Sequence, residues 1–184
     1  MRIVGGRHRG LTLAEVGAGD AAAHLRPTPD RVREAVFNML DGGRFGRVLP
    51  GARVLDLFAG TGALGIEALS RGAAHATFVD DGRVAQGLIR ANLAAAGRAA
   101  DARVLGVRAD RLPQAAACGL VFLDPPYGAD LGAPALAVAR AAGWTGPGTV
   151  VVWEEATAQL PPAGFARRDA RRFGSSWVTF LEAI

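Results

Sequence analysis

From Ala52 onward the chain alternates short, unbroken apolar runs with longer stretches in which Ala and Leu recur at helical spacing. The runs Arg53–Leu57, Ala76–Val79, Arg103–Val107, Leu120–Leu123 and Thr149–Trp153 show little apolar–polar alternation. That pattern predicts strands covered on both faces. Helices are predicted near residues 63–71, 82–97, 110–117 and 132–142. Strands and helices taking turns in this way predict a doubly wound α/β domain with a mostly parallel sheet. The ending differs: Phe165–Arg168 and Trp177–Leu181 flank Gly174-Ser175-Ser176 and predict an antiparallel hairpin at a sheet edge.

The N-terminal part is patterned otherwise. Residues 1–13 alternate short apolar and basic stretches around Gly5-Gly6 and Gly10, which predicts a small hairpin. Residues 14–25 are rich in Ala and Gly and read as a loop. Thr28-Pro29-Asp30 predicts a helix start, with threonine as cap, proline in the first turn and an acid near the N-terminus. Val32, Val36, Met39 and Leu40 then share one face, and Asp41-Gly42-Gly43 ends the helix. The expected division is a basic extension over residues 1–50 and an α/β domain over residues 51–184.

At 184 residues the chain suits one domain with a substantial core. No apolar stretch approaches the roughly 20 residues that cross a bilayer, and Met1–Gly6 lacks an apolar signal region, so a cytoplasmic monomer is expected. One cysteine, Cys118, and three scattered histidines leave no pattern for a disulfide framework or a metal site. Charge is more informative in its distribution than in its sum. Residues 1–53 hold nine Arg against five acids, whereas the remaining twelve Arg balance twelve acids. The formal excess of +4 therefore lies in the N-terminal segment, as a nucleic-acid partner would require. A solvated basic face is the plainer alternative.

The sharpest chemical signal is Leu123-Asp124-Pro125-Pro126-Tyr127, directly after an apolar strand. Neither proline has an N–H, so the turn is stiff, poor in donors and rich in carbonyl acceptors. A carboxylate, bare carbonyls and an aromatic face suit a planar base that carries an amino group. The plainer reading is a strand-ending turn with Asp124 as a helix cap. Against it, acids stand at or near four predicted strand ends: Asp56, Asp80 with Asp81, Asp110 and Asp124. In open α/β sheets that end of the strands is where ligands bind.

The first strand runs into Asp56-Leu57-Phe58-Ala59-Gly60-Thr61-Gly62-Ala63-Leu64-Gly65, whose glycines permit a tight turn and a close ligand approach. The same stretch matches the Gly-x-Gly-x-x-Gly of nicotinamide enzymes, with Asp80 twenty residues after Gly60. Asp56 counts against that rival, because a pyrophosphate at a helix N-terminus wants N–H donors and no adjacent carboxylate. A ligand bearing a cationic amine or sulfonium is better matched.

Together these motifs resemble class I, AdoMet-dependent amino-methyltransferases. Arg26-Pro27-Thr28-Pro29-Asp30-Arg31-Val32-Arg33-Glu34-Ala35-Val36-Phe37-Asn38, Ile3-Val4-Gly5-Gly6, Arg9-Gly10 and Phe173-Gly174-Ser175-Ser176 narrow the resemblance to the RsmD family. The resemblance implies a Rossmann-like methyltransferase domain and methylation of one guanine N2 in 16S ribosomal RNA, free or within the small subunit. An adenine-N6 enzyme acting on DNA or RNA is the alternative, because the Asp-Pro-Pro-Tyr turn does not itself distinguish the bases. It implies Asp124, Pro125, Pro126 and Tyr127 as the catalytic set. For S-adenosyl-L-methionine it implies Asp56, Phe58, Ala59, Gly60, Thr61 and Gly62 near the methionine moiety, Asp80 or Asp81 on the ribose, Asp110 at the adenine amine, and Thr28 over the cofactor. Asp110 as a helix N-cap is an equally good structural reading. Arg7, Arg9, Arg26, Arg31 and Arg33 are the candidate phosphate contacts; Arg31 or Arg33 could instead pair with Glu34 or Asp30.

Overall fold

The computed structural model describes residues 1–15 and 28–184; Arg26, and the part of the expected 14–25 loop beyond Glu15, lie outside the described residues. Seven strands form one sheet: β1 (Arg53–Leu57), β2 (His75–Val79), β3 (Ala102–Leu105), β4 (Leu120–Leu123), β5 (Val150–Glu155), β6 (Phe165–Phe173) and β7 (Ser176–Ala183). The helices are α1 (Asp30–Asp41), α2 (Ala63–Ser70), α3 (Arg83–Ala95) and α4 (Gly132–Ala141). Spatial order is β3-β2-β1-β4-β5-β7-β6. The first five strands are parallel, and β7 runs antiparallel to both β5 and β6. The doubly wound sheet with its closing antiparallel hairpin is therefore as the sequence predicts, although β7 inserts beside β5 and leaves β6 at the edge.

Both faces of the central strands are covered, which is why their sequences do not alternate. Val54, Leu120, Phe122, Val150 and Val152 point into the core shared with α1, α2 and α3. Leu55, Leu57, Val121, Leu123, Val151 and Trp153 point into the core shared with α4. The first of these cores also takes in Ile3, Leu13, Val32, Val36, Phe37 and Leu40, so the N-terminal segment packs into the same interior as the sheet.

Residues 1–13 fold back on themselves through Ile3 N–H to Leu11 O (2.9 Å), Gly10 N–H to Ile3 O (2.8 Å) and a bridge between Arg2 and Thr12. This arm is clamped to α2, where buried Glu67 accepts Val4 N–H at 2.8 Å and Ser70 Oγ accepts His8 N–H at 2.9 Å. Arg71 joins α2 to α1 by pairing with Glu67 (2.8 Å) and Asp41 (2.6 Å).

Three local expectations are corrected. No helix forms over residues 110–117; the segment has no regular structure and hydrogen-bonds to the residues just after α4, with Ala115 N–H to Ala142 O at 3.0 Å and Cys118 N–H to Trp144 O at 2.8 Å. Pro113 lies inside that stretch, lacks the N–H a helix would use, and instead offers its carbonyl to Trp144 Nε1 at 2.7 Å. Strand β3 stops at Leu105 and not Val107, because its partner β2 stops at Val79. Thr28 is not a helix cap: α1 is entered from Pro29 with no side-chain cap, and the Thr28 hydroxyl is used elsewhere.

Candidate active site

Strand order reverses between β1 and β4, and at such a switch point the loops leaving two adjacent strands part to form a crevice. Leu57 is paired with Leu123, so the Phe58–Gly62 turn and the Asp124–Tyr127 turn emerge side by side. Phe58 leaves β1 with a φ of 59°, an uncommon left-handed conformation for a bulky residue that is tolerated mostly where function needs it. Gly62 follows at φ 80° and opens α2, where an L side chain would be strained.

The crevice contains a cavity of about 240 Å³ lined by Thr28, Asp56, Phe58, Ala59, Gly60, Thr61, Asp80, Asp124, Pro125, Pro126 and Tyr127, among others. Gly62 shapes this wall from behind through its N–H to Ala59 O, 2.7 Å, without lining it. A second cavity of about 190 Å³ adjoins across Phe58 and Asp80 and holds Asp81 and Asp110. Asp80 belongs to both, accepting Gly60 N–H and Gly82 N–H at 2.9 Å each, whereas Asp81 touches only the second. Asp110 caps no helix; it is exposed and doubly paired with Arg108 at 2.6 and 2.9 Å.

Among the described residues, three carboxylates and no cationic side chain line the first cavity. Their surroundings resist ionisation. Burial pushes the Asp56 carboxyl up to about 8, against the opposing Gly65 N–H at 2.9 Å and with a smaller push from Asp80. Burial likewise raises Asp80 above the usual range despite its two N–H partners. Asp124 stands well above it, through burial first and the neighbouring Glu154 charge second. A cation entering the cavity would relieve all three. A dinucleotide pyrophosphate would meet only repulsion, so the nicotinamide rival loses its footing here.

The Asp124 wall holds a residue that sequence reasoning missed. Glu154 lies one residue beyond Trp153, which pairs with Leu123, so it stands beside Asp124 on the same face. Thr28 Oγ1 is 3.2 Å from Asp124 Oδ2 and 3.0 Å from Glu154 Oε2. A hydroxyl has one hydrogen to give, so both contacts are hydrogen bonds only when one carboxyl carries a proton. Tyr127 O–H donates to Glu154 Oε1 at 2.8 Å. Glu155 steadies the same turn by accepting Gly128 N–H at 3.2 Å. The signal was available: β5 ends in Glu154-Glu155, and acids mark other strand ends too, but a strand finished at Trp153 leaves them out.

A third cavity of about 650 Å³ opens past Thr28 and Tyr127, with Glu154 in its wall and Arg31 and Arg172 at its edges. Arg33, Arg7 and Arg9, the other described candidates, do not line it. Arg33 is fully buried, donating to Thr28 O at 3.0 Å, to Asp30 Oδ1 at 2.8 Å and to Arg2 O, so it is a structural bracket and no phosphate contact. Arg7 and Arg9 are exposed on the arm clamped to the last turn of α2, at the opposite end of the sheet from Asp124. Conversely Arg172, outside the arginine candidates read from the sequence, lines the third cavity.

Known proteins resemble the chain in sequence and in fold. The family model described as Conserved hypothetical protein 95 matches residues 1–182. Ribosomal RNA small subunit methyltransferase D of Escherichia coli is 45% identical over 130 residues, which are 69% of this chain and 60% of that protein. YlbH of Bacillus subtilis is 42% identical over 132 residues, 69% of this chain and 67% of its own length. The solved structure of E. coli yhhF superposes with a TM-score of 0.83 at 34% identity, covering all of this chain and 97% of that one.

Proposed function

The chain belongs to the RsmD family, the family described as Conserved hypothetical protein 95, and from that premise we propose that it methylates the N2 amine of one guanine in 16S ribosomal RNA, using S-adenosyl-L-methionine. Adenine-N6 methylation, the alternative in the sequence, is not favoured by the family. The observation that carries the reading is that Asp124 and Pro125 line the same acid-rich cavity as Gly60 and Thr61 of the glycine turn.

AdoMet, when bound, supplies an electrophilic methyl on a cationic sulfur. Asp56, Asp80 and Asp124 supply the negative surroundings that such a charge requires, and no positive side chain among the described residues lines the cavity. Asp80, bridging the two cavities, is positioned for the ribose hydroxyls; Asp81 and Asp110 face the compartment left for adenine. The exocyclic amine of guanine is a poor nucleophile because its lone pair is delocalised into the ring. Asp124 and the Pro125 carbonyl accept its two hydrogens, hold the nitrogen pyramidal and favour the positive charge that grows as the N–C bond forms and the S–C bond breaks. Asp124 is also placed to take the proton that the methylated nitrogen sheds. Only its ionised form can act so, and its raised pKa makes activity climb with pH above the ordinary carboxylate range.

The base must leave its stack at a cost of roughly a few kcal/mol. Tyr127 is 41% exposed, so its ring is free to stack on that base and return about 1–3 kcal/mol. The enzyme acts as a cytoplasmic monomer on free RNA or on the assembling or assembled subunit. Incubation with labelled AdoMet and either 16S RNA or small-subunit particles tests the reading. Label in N2-methylguanosine is expected, with Asp124→Ala lowering turnover at least a hundredfold while AdoMet affinity, read by titration calorimetry, changes far less. Label in N6-methyladenine, or undiminished turnover in that variant, overturns it.

A further inference from the structure

Resting on the guanine-N2 reading, we propose that Glu154 is a specificity residue: it accepts the N1–H of the target guanine while Asp124 accepts N2–H, so that two neighbouring carboxylates read two neighbouring donors on one base edge. Asp124 and Glu154 each follow the last paired residues, Leu123 and Trp153, of two adjacent parallel strands and flank the same Thr28 hydroxyl, at 3.2 and 3.0 Å. Glu154 is 6% exposed, and its remaining surface lies in the wall of the cavity that opens past Tyr127, where an extruded base stacked on that ring would present its edge. Among the described residues each Glu154 oxygen has one hydrogen-bond partner, Thr28 on Oε2 and Tyr127 on Oε1, so lone pairs remain for a ligand.

The chemistry of the edge makes the pair selective. Guanine offers donors at both N1 and N2. Adenine and cytosine offer an amine beside a ring nitrogen that is itself an acceptor, and that nitrogen would face a carboxylate with no proton between them. A site built for a donor rejects a partner lacking it strongly, because a buried acceptor is then left unpaired. Burial of two acids side by side destabilises the empty site; a two-donor guest compensates both. Anchoring Tyr127 alone would explain the 2.8 Å phenol contact but not a second carboxylate turned toward the same hydroxyl as Asp124.

The test uses 16S RNA ligated to carry 2-aminopurine at the methylated position, which keeps the 2-amino group but has an unprotonated N1. It is presented in whichever form the wild-type enzyme methylates. Wild type is expected to lose at least about 30-fold in kcat/KM on 2-aminopurine relative to guanine. Glu154→Gln, whose amide can donate to a bare N1, is expected to narrow that preference at least tenfold, with AdoMet affinity within about twofold of wild type. Equal rates for the two bases in wild type overturn the proposal whatever the variant does. An equal loss on both bases in Glu154→Gln also overturns it and reduces Glu154 to a support for Tyr127. In both results guanine is still methylated, so the N2 reading survives; no methylguanosine from wild type overturns both.

Discussion

A carboxylate that is buried without a cation is an odd thing for a fold to keep, and Asp56 is the extreme case here. Its side chain is nearly inaccessible, accepts Gly65 N–H, and is pushed by burial up to about 8. A group whose folded pKa lies above its unfolded value contributes most to stability below the unfolded value and loses that contribution as pH rises through the folded one. For Asp56 the window runs from about 4 to about 8, and Asp80 and Asp124 lean the same way. The ligand-free protein should therefore melt at lower temperature at pH 8 than at pH 5. Asp56→Asn keeps a carbonyl for Gly65 N–H and removes the titration, so it should be more stable than wild type at pH 8, with the difference shrinking toward pH 5. Melting curves across that range decide the point; parallel wild-type and variant profiles would refute it. Asp56 was legible in the sequence as an acid at a strand end. Its burial was not, because nothing local says that a helix will close over it.

At the scale of elements, the placement of α2 on β2 rests on one missing side chain. A Cβ at Gly65 would come within 2.7 Å of Phe78 Cζ and 3.0 Å of Asp56 Oδ2, and Phe78 is fully buried beneath it. Gly65→Ala should cost a net 1–3 kcal/mol or so from overpacking, although alanine is the better helix former by about 1 kcal/mol. Gly87 makes the control, since it sits on exposed α3 with open space around its would-be Cβ. Gly87→Ala should stabilise by about 0.5–1 kcal/mol. Chemical denaturation of both variants checks the opposite signs, and two changes of the same sign would count against this account of α2. The unbroken apolar runs of β1 and β4 and the one-sided apolar spacing of α3 were readable from their residues, because burial on both faces or on one dictates them. The stretch 110–117 misled because its alanines carry helical propensity, whereas its actual partners, Ala142 and Trp144, are remote in sequence and decide its conformation.

Over the whole molecule the question is which positive charges serve the site, and composition answered it only in part. The N-terminal excess of arginine is real, yet folding sends its members to three different places. Arg33 is consumed inside the protein, Arg7 and Arg9 face away at the amino end of the sheet, and Arg31 alone of the described N-terminal candidates reaches the mouth, joined there by Arg172 from β6. Linear order could not reveal this, because the arm doubles back onto the last turn of α2 and the hairpin returns from the far edge of the sheet. If Arg31 and Arg172 each neutralise a phosphate near the extruded base, replacing both with alanine removes two contacts. The slope of log affinity against log salt should then become shallower by about 0.7–0.9 per contact. Replacing Arg7 and Arg9 should leave that slope close to the wild-type value. Binding of 16S RNA or small-subunit particles, measured across a salt series for the two double variants, separates the ends of the sheet. The opposite ranking would mean that the RNA is held from the amino-terminal side and reaches the Asp124 crevice around the edge of the domain.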